Sequence, residues 1–128
     1  MTSARTLVCA GLLLALATLA GALGAHTLRA TLAPGRLELW ETAVRYQFFQ
    51  SLGLIGVGLT LRGAERGALA TAAVLIAAGV LVFCGSLYAL ALGAPRVLGA
   101  LTPFGGLAWI AGWLLFAYGA WRPPHPRS

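Results

Sequence analysis

Residues 7–25 read LVCAGLLLALATLAGALGA, nineteen positions with no charge and no proline. A helix rises ~1.5 Å per residue, so this stretch alone nearly covers the ~30 Å hydrocarbon layer of a bilayer. Water is absent there, and a helix satisfies its own backbone groups. The alternation of a membrane-barrel strand is missing. The stretch belongs to an uncharged run at 6–28, and further uncharged runs follow at 46–61, 67–95 and 97–121. The run 46–61 reaches spanning length when its helix begins near Thr42.

Composition agrees with a lipid setting. Of the 128 residues, 59% are hydrophobic and 9% charged, whereas a soluble domain carries about 25% charged residues. The net charge of +6 comes wholly from arginine, since lysine is absent. No basic stripe interleaves with aromatics, so nucleic acid is not an expected partner; the arginines fence the apolar runs, where they reach lipid phosphates. Asparagine is absent, which rules out N-glycosylation. The excess of Ala, Gly, Leu and Arg points to a GC-rich, bacterial coding bias. Cys9 and Cys84 lie near opposite ends of their segments, too far apart in depth for a disulfide. Met1 to Arg5 resembles the n-region of a signal peptide, and Ala22-Leu23-Gly24 a cleavage site. The nineteen apolar residues, against ~7–15 in a signal peptide, favour a retained helix.

The expected architecture is an all-α membrane protein, a four-transmembrane-helix bundle in one integral membrane domain over 1–128. Its spans are about 5–28, 42–61, 68–92 and 102–121, with a disordered tail at 122–128. Pro34-Gly35 is read as a break inside the connection 26–36. From Leu37 a short amphipathic extension leads into the second span, with Glu38, Glu41 and Arg45 on one side and Glu41 and Arg45 in i, i+4 register. Arg62 to Gly67 reads as a tight turn. Gly93 reads as a C′ residue with Pro95 beyond it, and Thr102-Pro103 as N-cap and N1 of the last helix. Trp40 and Trp121 are placed in the aromatic belts. Small residues recur every fourth position in the first segment, at Gly11 and Ala15, at Ala17, Gly21 and Ala25, and at Ala20 and Gly24, as in close helix contacts. Arg5, Arg62, Arg66, Arg122 and Arg127 fall on one side, and Arg29, Arg36, Arg45 and Arg96 on the other. That bias puts both termini in the cytoplasm of a multi-pass protein of the cell (inner) membrane.

Polar side chains inside a membrane face protein or water. The second segment holds Tyr46, Gln47, Gln50 and Ser51, and the third holds Cys84, Ser86 and Tyr88. Of these, Tyr46, Gln47, Gln50, Ser86 and Tyr88, with His26, Arg29, Glu41, Arg45 and Thr102, fall toward one side and form the candidate polar cluster. One reading is a polar cavity lining; the other, favoured here, is interhelical hydrogen bonding. No catalytic set is visible, because Asp is absent and nothing forms a Ser/His/acid triad. The glycines at 53, 56 and 58 match no phosphate loop. His26 and the distant His125 make no metal site, and no cofactor is expected.

Four segments in order, Gly21-Ala-Leu-Gly-Ala-His26, Thr42-Ala-Val-Arg-Tyr-Gln47, Phe83-Cys-Gly-Ser-Leu-Tyr88 and Leu101-Thr-Pro-Phe-Gly-Gly106, the last followed by Ala111-Gly-Trp113, resemble a small membrane-protein family, domain of unknown function 423. It includes YgdD-like bacterial inner-membrane proteins and animal transmembrane protein 256. The resemblance covers about 5–121 and implies four membrane helices and no known activity. The family pattern often carries a histidine where this chain has Gln50, which weakens a two-histidine site.

Three functions compete. The first, favoured, is a non-enzymatic membrane component that binds a membrane-protein partner, lipid, or its own copies as a homo-oligomer. The second is a small-solute or ion pathway lined by the second span and the His26 side. The third is a membrane-embedded enzyme, for which His26 and Glu41 are the acid–base candidates.

Overall fold

The computed structural model describes residues 1–63 and 67–123. The centre of the expected 62–67 turn, most of the tail, Glu65, Arg66, His125 and Arg127 lie outside them. Alanine and leucine are strong helix formers, and apolar segments without competing polar side chains propagate the helix. The described residues accordingly form helices and short connections, with no strand among them.

Four rods result. In the first, α1 (Ser3–Leu23), a π-helical turn (Gly24–Leu28) and α2 (Arg29–Thr31) run without interruption. The second is α3 (Pro34–Gly63). The third joins α4 (Gly67–Gly79), a second π turn (Val80–Cys84) and α5 (Gly85–Ala91). A 3-10 turn (Arg96–Ala100) then leads into the fourth, α6 (Thr102–Trp121). The first rod (Ser3–Thr31), the third (Gly67–Ala91) and the fourth with its 3-10 turn (Arg96–Trp121) are long and apolar enough to cross a membrane.

The second rod differs from expectation in two ways. Pro34-Gly35 starts the helix rather than breaking it, while the extension from Leu37 runs straight into the span, as expected, within one 30-residue helix. Proline suits a first turn, where its missing N–H would bond nothing anyway. Only Leu32 and Ala33 separate it from the first rod. The second rod is also absent from the apolar spans, since Arg45, Gln47, Gln50 and Ser51 dilute its hydropathy.

The third rod closes with a Schellman arrangement. Gly93 takes φ +101°, Gly93 N–H donates to Leu90 O at 3.1 Å, and Ala94 N–H donates to Ala89 O at 3.0 Å. The fourth rod does not use Thr102 as its N-cap. Leu101 holds that position without a side-chain bond, and Thr102 is the first helical residue.

Packing leaves the second rod in the middle, against the first on one side and the third on the other, while the fourth lies on the third. Leu54, Val57, Leu69 and Ile76 are fully buried at this junction. Gly105, Gly112 and Gly119, seven residues apart, are buried along the fourth rod. A Cβ at Gly105 would lie 2.5 Å from Phe83 N, and one at Gly112 would lie 2.9 Å from Ile76 Cγ1. The rods meet backbone to backbone there, as small residues permit.

Candidate functional site

The interior polar side chains tie rods together. Gln47 is buried at the face where the second rod meets the first. Its Nε2 donates to Leu13 O at 2.8 Å, while Tyr88 Oη on the third rod donates to Gln47 Oε1 at 2.7 Å. One amide thus links three rods. One helical turn toward Pro34, Cys84 Sγ donates to Ala43 O at 3.3 Å. Trp40 is buried between rods rather than turned outward: its indole crosses the first rod at Gly24, Nε1 donates to Ala20 O at 2.8 Å, and the ring meets Tyr88 edge-on at 4.6 Å. Gly24 has no Cβ to keep the indole out.

A cleft of about 370 Å³ opens beside these groups, between the first and third rods. Leu13, Leu16, Leu19 and Leu23 form one wall, Val80, Leu81 and Leu92 the other, and Gln47, Cys84 and Tyr88 lie at its floor. The second π turn is part of its wall, and such turns are frequent at functional sites. A smaller cavity, about 230 Å³, lies against Gly21, Gly24, Trp40 and Val44, and holds Arg29, Glu41 and Arg45.

The sequence-derived cluster is therefore distributed. Gln47 and Tyr88 meet at the large cleft, and Arg29, Glu41 and Arg45 at the small one. Tyr46 stacks on Trp109 at 5.8 Å and meets Phe83 edge-on at 5.2 Å. Gln50 accepts from Trp113 Nε1 at 2.7 Å, which joins the second rod to the fourth. Ser86 and Thr102 share a hydrogen bond at 2.6 Å across the third and fourth rods. His26 is exposed on the first π turn. Ser51 Oγ, fully buried, has no hydrogen-bond partner among the described residues. No group of three or more His, Cys, Asp or Glu gathers among the described residues, and both cysteines are free.

Sequence reasoning missed Trp40 and Trp113 as interior donors and missed the cleft itself. The leucines at 13, 16, 19 and 23, spaced three and four apart on one helix face, were the available signal.

Similar proteins agree with a membrane setting. The chain is 47% identical over 95 residues to the UPF0382 membrane protein SH2409 of Staphylococcus haemolyticus, covering 74% of this chain and 77% of that one. It is 39% identical over 101 residues to the UPF0382 membrane protein YwdK of Bacillus subtilis, covering 78% and 82%. It is 35% identical over 102 residues to the UPF0382 inner membrane protein YgdD of Escherichia coli K12, covering 80% and 78%. No solved structure matches. With residues 20–106 matching the family described as "Protein of unknown function (DUF423)", the span that carries Trp40, Gln47, Cys84 and Tyr88, this chain is a member of that membrane-protein family.

Proposed function

We propose that the chain is a four-span membrane protein, with both termini in the cytoplasm, that works by binding another membrane constituent rather than by catalysis. The observation that carries this reading is the use of its interior polar groups. Gln47, Tyr88, Gln50 and Trp113 each bond one rod to another, which leaves apolar cleft and apolar outer faces as the surface on offer. The same observation supports the second rod as a span. Its Gln47 and Ser51 are buried while Phe49, Leu52 and Leu59 point outward, so part of its polarity is hidden from lipid, and the exposed Arg45 lies toward its Pro34 end, where a long side chain reaches the membrane surface. Thirty residues give ~45 Å of helix, ample to cross.

Two measurements test this. In a Cys9→Ala, Cys84→Ala background, single cysteines at Leu32 and Ala94 are expected to react with an impermeant maleimide from outside the cell. Cysteines at Thr2 and Gly63 are expected to react only after permeabilisation. Labelling of Leu32→Cys and Gly63→Cys from the same side would remove the second span, and a fully inverted pattern would remove only the orientation. Native mass spectrometry from mild detergent is expected to show bound lipid, a second protein or a second copy. A bare monomer under every extraction condition would overturn the binding role.

A further inference from the structure

The large cleft has a depth and a charge that identify an occupant. Along the first rod its lining runs from Leu13 to Leu23, ~15 Å of helix. That is half of a ~30 Å hydrocarbon layer, the depth of one leaflet. Its walls are leucine and valine, and the polar groups at its floor already bond to each other. Apolar walls gain dispersion contacts along their whole length from an apolar occupant. In a bilayer, the material able to supply them is a hydrocarbon chain.

The end of the cleft marked by Leu23 and Leu92 is also the cationic end. Arg36 sets Nη1 3.4 Å from the position a Cβ on Gly93 would take, directly after Leu92. Its guanidinium has no partner among the described residues. Arg29, Arg45 and Arg96 belong to the same end of the bundle, against Glu38 and Glu41, so four positive charges meet two negative ones. We infer that the cleft holds one acyl chain of an anionic phospholipid, with the lipid phosphate drawn to Arg36. This rests on the binding role proposed above and names the constituent bound.

The test is native mass spectrometry of the full chain in detergent micelles, titrated with phosphatidylglycerol and phosphatidylcholine of identical acyl chains. Wild type is expected to retain phosphatidylglycerol about fivefold better, the ratio that corresponds to ~1 kcal/mol for one arginine near an anionic surface. Arg36→Gln is expected to erase that ratio, lowering phosphatidylglycerol retention more than that of phosphatidylcholine, whose phosphate is offset by its choline. Gly85→Leu is expected to lower retention of both lipids several-fold. A Cβ at Gly85 meets nothing within 4 Å, so the new side chain enters the cleft without moving the backbone. Arg45→Gln, at the smaller cavity, is expected to leave the ratio intact. Equal retention of the two lipids by wild type overturns the charge assignment. Undiminished binding by Gly85→Leu overturns the cleft, and loss of the ratio in Arg45→Gln to the same degree as in Arg36→Gln overturns a specific site. A lipid-free dimer or hetero-complex would overturn this inference while leaving the binding role standing.

Discussion

The seam between the third and fourth rods is closed, and the seam between the first and third is open. The closed one is built from Gly105, Gly112 and Gly119, which bring backbone against backbone, with Trp109 Nε1 donating to Ile76 O at 3.2 Å beside them. The open one sets leucines on both walls, and only the floor makes hydrogen bonds. Both rods that flank the cleft are rich in alanine and glycine. Small residues therefore close a membrane interface only when they face the neighbouring helix. In the first rod, Ala17 and Gly24 face the second rod and are buried, while Gly11 and Ala15 are exposed.

Substitutions can break this contrast at graded strengths. Gly105→Leu should be the most damaging, because its Cβ would sit 2.5 Å from Phe83 N and 2.9 Å from Phe83 Cα, and backbone cannot step aside cheaply. The cost expected is about 3 kcal/mol, read as a fall in the unfolding midpoint in a fixed detergent; an unchanged midpoint would mean the seam is not closed. Gln47→Leu should cost about 1–2 kcal/mol, since it removes bonds to both Leu13 O and Tyr88 while keeping the volume. If the bonds instead meant nothing for stability, this variant and wild type would unfold together. Trp113→Phe should cost about 0.6 kcal/mol for the single bond to Gln50, and a Trp113→Phe, Gln50→Leu double variant should recover part of it. Gly11→Leu should shift stability by less than about 0.5 kcal/mol, because nothing lies within 4 Å of the new Cβ. A large loss there would reveal a contact on the outer face of the first rod.

Part of the candidate site was legible before any fold was known. Gln47, Gln50, Ser86, Tyr88 and Thr102 stand out as polar residues within apolar runs, and the preference for interhelical bonding over a wet lining follows from the scarcity of water. Their grouping was not legible. Gln50 reaches Trp113 on the fourth rod although it lies only ~60° round the helix from Gln47, which reaches the first and third, because the second rod is packed on several sides at once. Trp40 shows the same gap: its place near a helix start reads as a membrane surface, but not that Gly24 on another rod makes room for its indole between rods.

Apolar length, arginine fences and the lack of water in lipid are properties of the chain in one dimension, so the sequence alone determined that this protein is helical and belongs in a membrane. The tertiary structure decided which rods close on each other, where an apolar cleft stays open, and that Gln47 bonds to Leu13 and Tyr88. Those outcomes depend on groups 34 and 41 residues apart arriving at the same depth and facing each other, a condition that spacing along the chain does not contain.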